Sequence, residues 1–198
     1  SIRRQRQMCI RDSYPGRADG QLPDDWKQTY YQPFSVLNYL VARTTTVRLG
    51  TSVLILPMRN PIEIAAQFSE MDNLSGGRVN FGVGVGWYSE EFEALGYPFK
   101  DRGKRTNDGL AIMKKLWTEA KPSHRSEYFS FEDAEKGPKP VQSPHPPIYI
   151  GGNSSAAIRR TAKYADVWHP FKITPEILAE SRPVLIAALQ EAGRSAEG

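Results

Sequence analysis

The sequence predicts an α/β fold, in which helices connect the strands of a parallel sheet, and two observations carry this prediction. Four segments are rich in β-branched and apolar residues, as strands buried on both faces of a sheet should be. Each of them is followed by a segment with apolar residues at helical spacing or with clear helix-start signals. An alternation of buried strands and helices is typical of parallel sheets with helical crossovers.

The first predicted elements are a helix, a strand and a second helix. Apolar residues from Phe34 to Val41 recur at helical spacing, and residues 47–56 form an apolar run that predicts a buried strand. Asn60 can cap the next helix, because its side chain can accept a hydrogen bond from the first turn. Gly76 can end that helix, since glycine readily adopts the left-handed conformation that follows many helices.

The same alternation continues along the rest of the chain. The predicted elements are a strand at 79–85, helices at 90–95 and 106–117, strands at 148–150 and 166–169, and helices at 154–164 and 175–192. Residues 100–105 are predicted to form a basic loop. Residues 121–147 contain six prolines and one short strand at 128–131, which indicates an insertion folded over the surface. Pro183 predicts a kink in the last helix.

Two architectures satisfy this order of elements. One is an open, doubly wound sheet, and the other is a closed eight-stranded barrel. Only four core strands can be counted, whereas a complete barrel typically needs about 250 residues. If the fold is a barrel, the chain is therefore a fragment of one.

The distribution of charge argues against a nucleic-acid-binding protein. The net charge is +4, but residues 1–13 hold four arginines against one acid. The remaining 185 residues carry 22 basic and 21 acidic side chains, with no basic cluster on a recognition element. We expect no nucleic-acid partner.

The first thirteen residues differ from the rest of the chain. They show neither helical nor strand periodicity and stop at a Tyr-Pro-Gly turn signal. We interpret residues 1–13 as a segment foreign to the fold, and residues 14–198 as the domain. A natural basic arm and a phosphate-contacting tail are the alternatives.

Composition also bears on location. The longest apolar run, residues 53–56, is far shorter than the roughly 20 residues that span a bilayer. Cys9 is the single cysteine, so there is no disulfide framework. We expect a cytoplasmic protein with no membrane partner.

Two glycine-rich segments follow predicted strands. Gly82, Gly84 and Gly86 lack the spacing of a dinucleotide fingerprint, and they indicate either a ligand site or close approach of a neighbouring strand. Gly151-Gly152-Asn153-Ser154-Ser155 is the stronger signal, because its polar residues begin a helix whose free N–H groups favour a phosphate. An ordinary capped turn is the alternative for this second segment.

The ionisable residues indicate no metal site and no catalytic triad. His124, His145 and His169 lack metal-ligand spacing, and the first two are predicted to be exposed loop residues. His169 ends a strand, where it either faces a site or packs structurally. The glutamates of 90–93 and the cations of 100–105 are predicted to be solvated, and the catalytic residues stay unknown.

Four ordered motifs resemble the luciferase-like monooxygenase superfamily: RLGTSVLILPMRNP, LSGGRVNFGVGVGWYSEEFEALG, PPIYIGGNSSAAIRRTAKYAD and VWHP. Within it, the chain is most similar to oxidoreductases that use the deazaflavin coenzyme F-420, over residues 14–192. The resemblance implies a (β/α)₈ TIM barrel with the insertion between its middle strands. The family's first two and last two strands have no counterpart here, so the implied barrel is incomplete.

The resemblance also implies cofactor contacts. A non-proline cis peptide at Ser52-Val53 would support the ring of the cofactor, and Ile55 would border the ring. The residues at the edge of the ring would be Gly84, Val85, Gly86 and Trp87. The residues at the phosphate would be Gly151, Gly152, Asn153, Ser154 and Ser155. The substrate would lie near Trp168 and His169.

The activity that this resemblance implies is hydride transfer between coenzyme F-420 and a small organic substrate. An FMN-dependent monooxygenase that uses dioxygen is the alternative within the superfamily. A basic, non-enzymatic binding module is the alternative from another class. The resemblance further implies a homo-oligomer for the full-length protein.

Overall fold

The computed structural model describes residues 31–134 and 137–195. The predicted foreign segment, residues 1–13, lies outside the described residues, as does Cys9. Among the described residues, no helix combines the length and the apolar character needed to cross a membrane.

Helices and strands alternate as the sequence predicts. In chain order the elements are α1 (Pro33–Arg43), β1 (Leu49–Gly50), β2 (Leu54–Ile55), α2 (Pro61–Ser75), β3 (Val79–Gly84), α3 (Ser89–Ala94), α4 (Arg102–Thr118), β4 (His124–Arg125), β5 (Ser130–Phe131), β6 (Ile148–Gly151), α5 (Ser155–Tyr164), β7 (Val167–His169) and α6 (Pro175–Glu191). A short 3₁₀ turn, Leu56–Met58, follows β2.

The sheet is parallel and its strands are joined by helices. Its order is β1-β3-β6-β7, and β2 pairs with β3 beyond the end of β1. The α/β class with a parallel sheet is therefore confirmed. In the described residues the sheet does not close on itself, and β4 pairs only with β5 in a separate antiparallel hairpin.

One predicted strand is broken in the middle. The prediction of a continuous strand over 47–56 is wrong, because residues 51–53 leave the ladder between β1 and β2. Thr51 keeps contact with β3 through its side chain: its hydroxyl donates to the carbonyl of Gly82 at 2.7 Å and accepts from the N–H of Gly82 at 3.1 Å. The peptide bond between Ser52 and Val53 is cis, as the resemblance implies.

The signals for the start and end of α2 are confirmed. The side chain of Asn60 accepts a hydrogen bond from the N–H of Ile62 at 2.9 Å. Gly76 follows the helix with φ +66°, in the left-handed region that favours glycine. This helix lies behind β3 and packs against α4 and α1.

The start of one helix differs from the prediction. Helix α4 begins at Arg102, so most of the predicted basic loop 100–105 is its first turn. Arg105 bonds Asp101 at 2.9 Å, and the hydroxyl of Thr106 donates to the carbonyl of Arg102, which holds this turn together. Helix α6 contains Pro183 in its interior, and the kink expected there stays a prediction.

The main core lies between the sheet and helices α1, α2 and α4. Four rings, Phe34, Phe68, Phe81 and Trp117, pack edge to face in succession, with centroids 4.5–5.7 Å apart. The indole N–H of Trp117 donates to the carbonyl of Ala65 at 3.0 Å, so this large ring is satisfied where it is buried.

The insertion is held against the core, and the prediction that its two histidines are exposed is wrong. His124 bonds Asp108 of α4 at 2.8 Å, and His145 is 6% exposed with its ring 5.8 Å from that of Trp117. Gln142 donates from its backbone and its side chain to the fully buried carboxylate of Asp72, at 2.9 and 2.7 Å.

Candidate functional site

The carboxyl ends of four strands meet at one edge of the sheet. Ile55 of β2 is in register with Gly84 of β3, and Gly151 of β6 is in register with His169 of β7. Val83 pairs with Ile150, so Gly84 and Gly151 are also neighbours. We call Ile55, Gly84, Gly151 and His169 the edge row. The carboxyl ends of parallel strands are where such folds bind their ligands.

The edge row lies on the face of the sheet that the helices leave open. Val83 and Ile150, one position earlier in β3 and β6, are buried in the main core. Since successive side chains of a strand point to opposite faces, Gly84 and Gly151 lie on the opposite face. Two adjacent positions on the open face therefore have no side chain.

The side chain of Val53 fills the space that these two glycines leave. A Cβ atom at Gly84 would lie 2.5 Å from Val53 Cγ2, and one at Gly151 would lie 2.9 Å from Val53 Cγ1. A Cβ at Gly82 would lie 1.8 Å from the carbonyl oxygen of Thr51. Residues 51–53, which we call the bridging segment, therefore lie directly on the open face, and the glycines allow this close approach.

Ser52 extends the bridging segment to the far edge of the sheet. Its hydroxyl lies 2.8 Å from Nε2 of His169, although β3 and β6 lie between β2 and β7. Neighbouring strands are about 4.8 Å apart, so a flat sheet would separate β2 from β7 by roughly 14 Å. The contact is possible because the bridging segment crosses the open face of the sheet.

The loop after β3 is held by Arg102, a residue that the sequence analysis placed in a solvated loop. Its Nε donates to the carbonyl of Gly86 at 3.1 Å, and its guanidinium stacks on the ring of Phe99 at 3.8 Å. Gly86 has φ +77°, and a Cβ there would lie 2.6 Å from the ring of Phe92. The loop that carries Gly86 and the 56%-exposed Trp87 is thus fixed at the edge of the sheet.

The predicted phosphate segment is the start of α5. The hydroxyl of Ser154 accepts from the N–H of Ala157 at 3.2 Å, as an N-cap does. In the described part of the chain, the N–H groups of Ser155 and Ala156 have no hydrogen-bond acceptor. Free donors at a helix N-terminus suit an anion such as a phosphate.

Asn153 and Trp168 have structural partners. The Asn153 side chain donates to the carbonyl of Phe171 at 2.6 Å and accepts from its N–H at 2.8 Å. The Trp168 indole donates to the carbonyl of Gly152 at 2.9 Å, and its ring packs on the small cluster of Ile158, Ala162 and Ala188 between α5 and α6. Trp168 therefore faces the helices, and the structure does not bring it together with His169.

Other polar features lie outside the edge row. Arg160 is 7% exposed and donates to Asn107 at 2.6 Å and to the carbonyl of Gly103 at 3.2 Å; burial lowers its pKa. A cavity of about 320 Å³ is lined by residues of α1 and α2 only. Within residues 31–134 and 137–195, no group of three or more His, Cys, Asp or Glu side chains is placed to hold a metal ion.

Two residues of the edge were missed by the sequence analysis. Thr51 replaces ladder hydrogen bonds with its hydroxyl, and Arg102 fixes the Gly86 loop. Neither role has a local sequence signal, because each depends on a partner that is 16 or more residues away. The polar pair Thr51-Ser52 inside the apolar run 47–56 was the one hint in the sequence for Thr51.

The comparison with protein families is decisive for most of the chain. Residues 19–198 match the family model described as luciferase-like monooxygenase. The uncharacterized protein Rv0953c of Mycobacterium tuberculosis is 33% identical over 157 residues, which cover 79% of this chain and 55% of the relative. The chain spans about half the length of the curated relatives it matches first.

Named relatives and solved structures include both flavin and deazaflavin enzymes. An FMNH₂-dependent dimethylsulfone monooxygenase of Pseudomonas putida is 30% identical over 142 residues, which cover 70% of this chain and 39% of the relative. The structure of an F-420-dependent secondary alcohol dehydrogenase superposes with a TM-score of 0.76 at 23% identity, covering 84% of this chain and 52% of that one. At this identity the superposition shows a common fold.

Proposed function

The chain belongs to the luciferase-like monooxygenase family, and we propose that it serves hydride transfer between the deazaflavin coenzyme F-420 and a small organic substrate. Members of this family are oxidoreductases and monooxygenases, and its structural neighbours include F-420-dependent and FMN-dependent proteins. The coenzyme and the activity of the full-length protein are our proposals.

One observation carries the proposal: the bridging segment lies on the edge row, and the first turn of α5 begins four residues after Gly151 of that row. A flat ring system needs a flat support, and the bridging segment would provide one, because the side chain of Val53 packs down onto Gly84 and Gly151. A phosphate needs hydrogen-bond donors, and the first turn of α5 provides these. The residues present therefore fit a coenzyme that has both a flat ring and a phosphate.

Each group of residues has a role in this proposal. Val53, Ile55 and the Gly86 loop would hold the ring, and the start of α5 at Ser154 and Ser155 would hold the phosphate. When bound, the deazaflavin ring would supply the hydride chemistry, so the protein's task is to bind and orient it.

FMN is the second candidate coenzyme, with a monooxygenase reaction. It is favoured by the 30% identity to the FMNH₂-dependent enzyme over 70% of the chain. FMN also combines a flat ring with a phosphate, so the geometry of the edge row suits both molecules. The preference for coenzyme F-420 rests on the motif YPGRADG at residues 14–20 together with the motifs GTSV and GVGVGW around Ser52 and Gly84.

Separate titrations of the chain with coenzyme F-420, FMN and riboflavin test the proposal. We expect saturable quenching of coenzyme fluorescence by the chain, with tighter binding of F-420 than of FMN. Riboflavin lacks the phosphate, so it should bind at least tenfold more weakly than FMN if α5 holds that group. A site that takes FMN and not F-420 would replace the leading proposal with the monooxygenase.

A matched pair of variants locates the phosphate. In the described residues the N–H group of Ala156, in the first turn of α5, has no hydrogen-bond acceptor. Ala156→Pro removes this N–H group, and proline is tolerated in the first turn of a helix. Ala111→Ser, on a half-buried position of α4, serves as the control for a change within a helix. Weaker FMN binding in Ala156→Pro with unchanged riboflavin binding is the expected result, and equal losses for both ligands would contradict the assignment.

A further inference from the structure

We propose that His169 is a positioning residue: its imidazole holds Ser52, and through Ser52 it keeps the bridging segment on the edge row. This inference rests on the proposed function, because the bridging segment matters there as the support of the coenzyme ring. It changes the role predicted for His169, from a substrate contact to an anchor of the coenzyme site.

The side chains of Ser52 and His169 are in direct hydrogen-bond contact. Ser52 Oγ and His169 Nε2 are 2.8 Å apart, a distance typical of a good hydrogen bond. The two residues are 117 positions apart in the chain, and Ser52 precedes β2 whereas His169 ends β7, on the other side of β3 and β6. The hydrogen bond therefore joins the bridging segment to the far strand of the sheet.

His169 is itself held in place by groups of β6. The carbonyl of His169 accepts from the N–H of Gly152 at 3.4 Å, which ties the end of β7 to the end of β6. The ring of Tyr149, also on β6, meets the imidazole edge to face with centroids 6.4 Å apart. Because these contacts restrict the position of His169, its imidazole can position the hydroxyl of Ser52.

Beyond Thr51, the bond to His169 is the one polar side-chain contact found for the described bridging segment. Thr51 is bonded to Gly82, and Val53 rests on Gly84 and Gly151 without a polar contact. Ser52 stands between them, so its bond to His169 is the one side-chain hydrogen bond found in the described residues for the cis Ser52-Val53 unit. Without it, the segment would be free to lift from the open face.

Two isosteric substitutions at one position test this role. The side-chain amide of glutamine reaches the place of Nε2 of histidine, whereas that of asparagine reaches the place of Nδ1. His169→Gln can therefore keep the bond to Ser52, and His169→Asn cannot. Ser52→Ala removes the bond from the other side, and Ser130→Ala, on an exposed position of β5, is the matched control for loss of a serine hydroxyl.

The experiment measures the dissociation constant of whichever coenzyme the unsubstituted chain binds, F-420 or FMN, and the urea unfolding of each variant without coenzyme. We expect His169→Asn and Ser52→Ala to weaken binding by roughly three- to tenfold each, as the loss of one hydrogen bond predicts. His169→Gln should bind within about twofold of the unsubstituted chain. The double variant Ser52→Ala/His169→Asn should bind no more weakly than either single variant, because both remove the same bond.

Several results would overturn the inference. Losses that add in the double variant would show that the two side chains act independently, and equal losses in His169→Gln and His169→Asn would show that the bond to Ser52 is not what matters. Urea midpoints that fall in parallel with affinity would indicate a role in folding alone. Failure of the unsubstituted chain to bind either coenzyme would instead refute the proposed function, and the inference with it.

Discussion

Replacing Gly84 by alanine tests the close packing of the bridging segment most directly. The added Cβ would lie 2.5 Å from Val53 Cγ2 and 3.4 Å from Ile55 Cδ1. Ordinary carbon–carbon contacts lie at about 3.5–4.0 Å, so Val53 must move by roughly 1 Å or more. The backbone at Gly84 has no positive φ, and the whole effect therefore comes from this overlap.

The expected cost follows from the mechanism. Overpacking by one methyl group typically costs about 1–3 kcal/mol, and we expect Gly84→Ala to lower the free energy of unfolding by this amount. Val53→Ala removes the Cγ2 methyl group that the new Cβ would overlap. The double variant Gly84→Ala/Val53→Ala should therefore be more stable than the sum of the two single losses predicts, by about 1 kcal/mol or more.

Urea unfolding followed by circular dichroism measures these free energies, and coenzyme titration gives a second readout. Gly103→Ala is the control, since it adds a Cβ in the first turn of α4, 3.3 Å from Nη2 of Arg160, which is a much smaller overlap than the 2.5 Å contact at Gly84. Its loss of stability should be smaller than that of Gly84→Ala, because alanine also favours a helix over glycine by about 0.5–1 kcal/mol. Strictly additive losses at Gly84 and Val53 would refute the proposed packing of the bridging segment.

Three further predictions concern other parts of the molecule. Asp72→Asn should lower the free energy of unfolding by about 1–3 kcal/mol in urea, because its amide would face the two donors of Gln142; unchanged stability would contradict this. Burial lowers the pKa of the Lys114 side chain, and this effect outweighs the charge of Asp166, which raises it. At pH values between the folded-state pKa and the ordinary lysine pKa, the unfolded state therefore binds more protons than the folded state. Stability should therefore rise with pH through that interval, and Lys114→Gln should lack this part of the rise in urea unfolding measured at several alkaline pH values. Asn153→Ala should speed proteolysis near Phe171, since both hydrogen bonds to that residue are lost. Asn153→Asp keeps one of these bonds, so its proteolysis rate should lie between those of the unsubstituted chain and Asn153→Ala.

Local signals in the sequence were sufficient for most of the elements. The Asn60 cap, the Gly76 end of α2 and the Ser154 cap of α5 are formed by residues within three positions of their partners, so they can be recognised without the fold. The apolar character of β3 and β6 likewise reflects burial on the helix side of a parallel sheet. The edge row could be anticipated in part, because the ends of parallel strands lie at a common edge.

The α/β class, the order of elements and the family could thus be predicted from the sequence, since helix caps, apolar runs and ordered motifs are all local patterns. Which side chains meet on the open face became clear only from the packed sheet. There the predicted strand is interrupted at residues 51–53, Trp168 faces the helices, Asn153 is bonded to Phe171 and Ser52 contacts His169. The physical reason is that these contacts join strands and loops far apart in the chain, and their energies depend on the register and curvature of the assembled sheet.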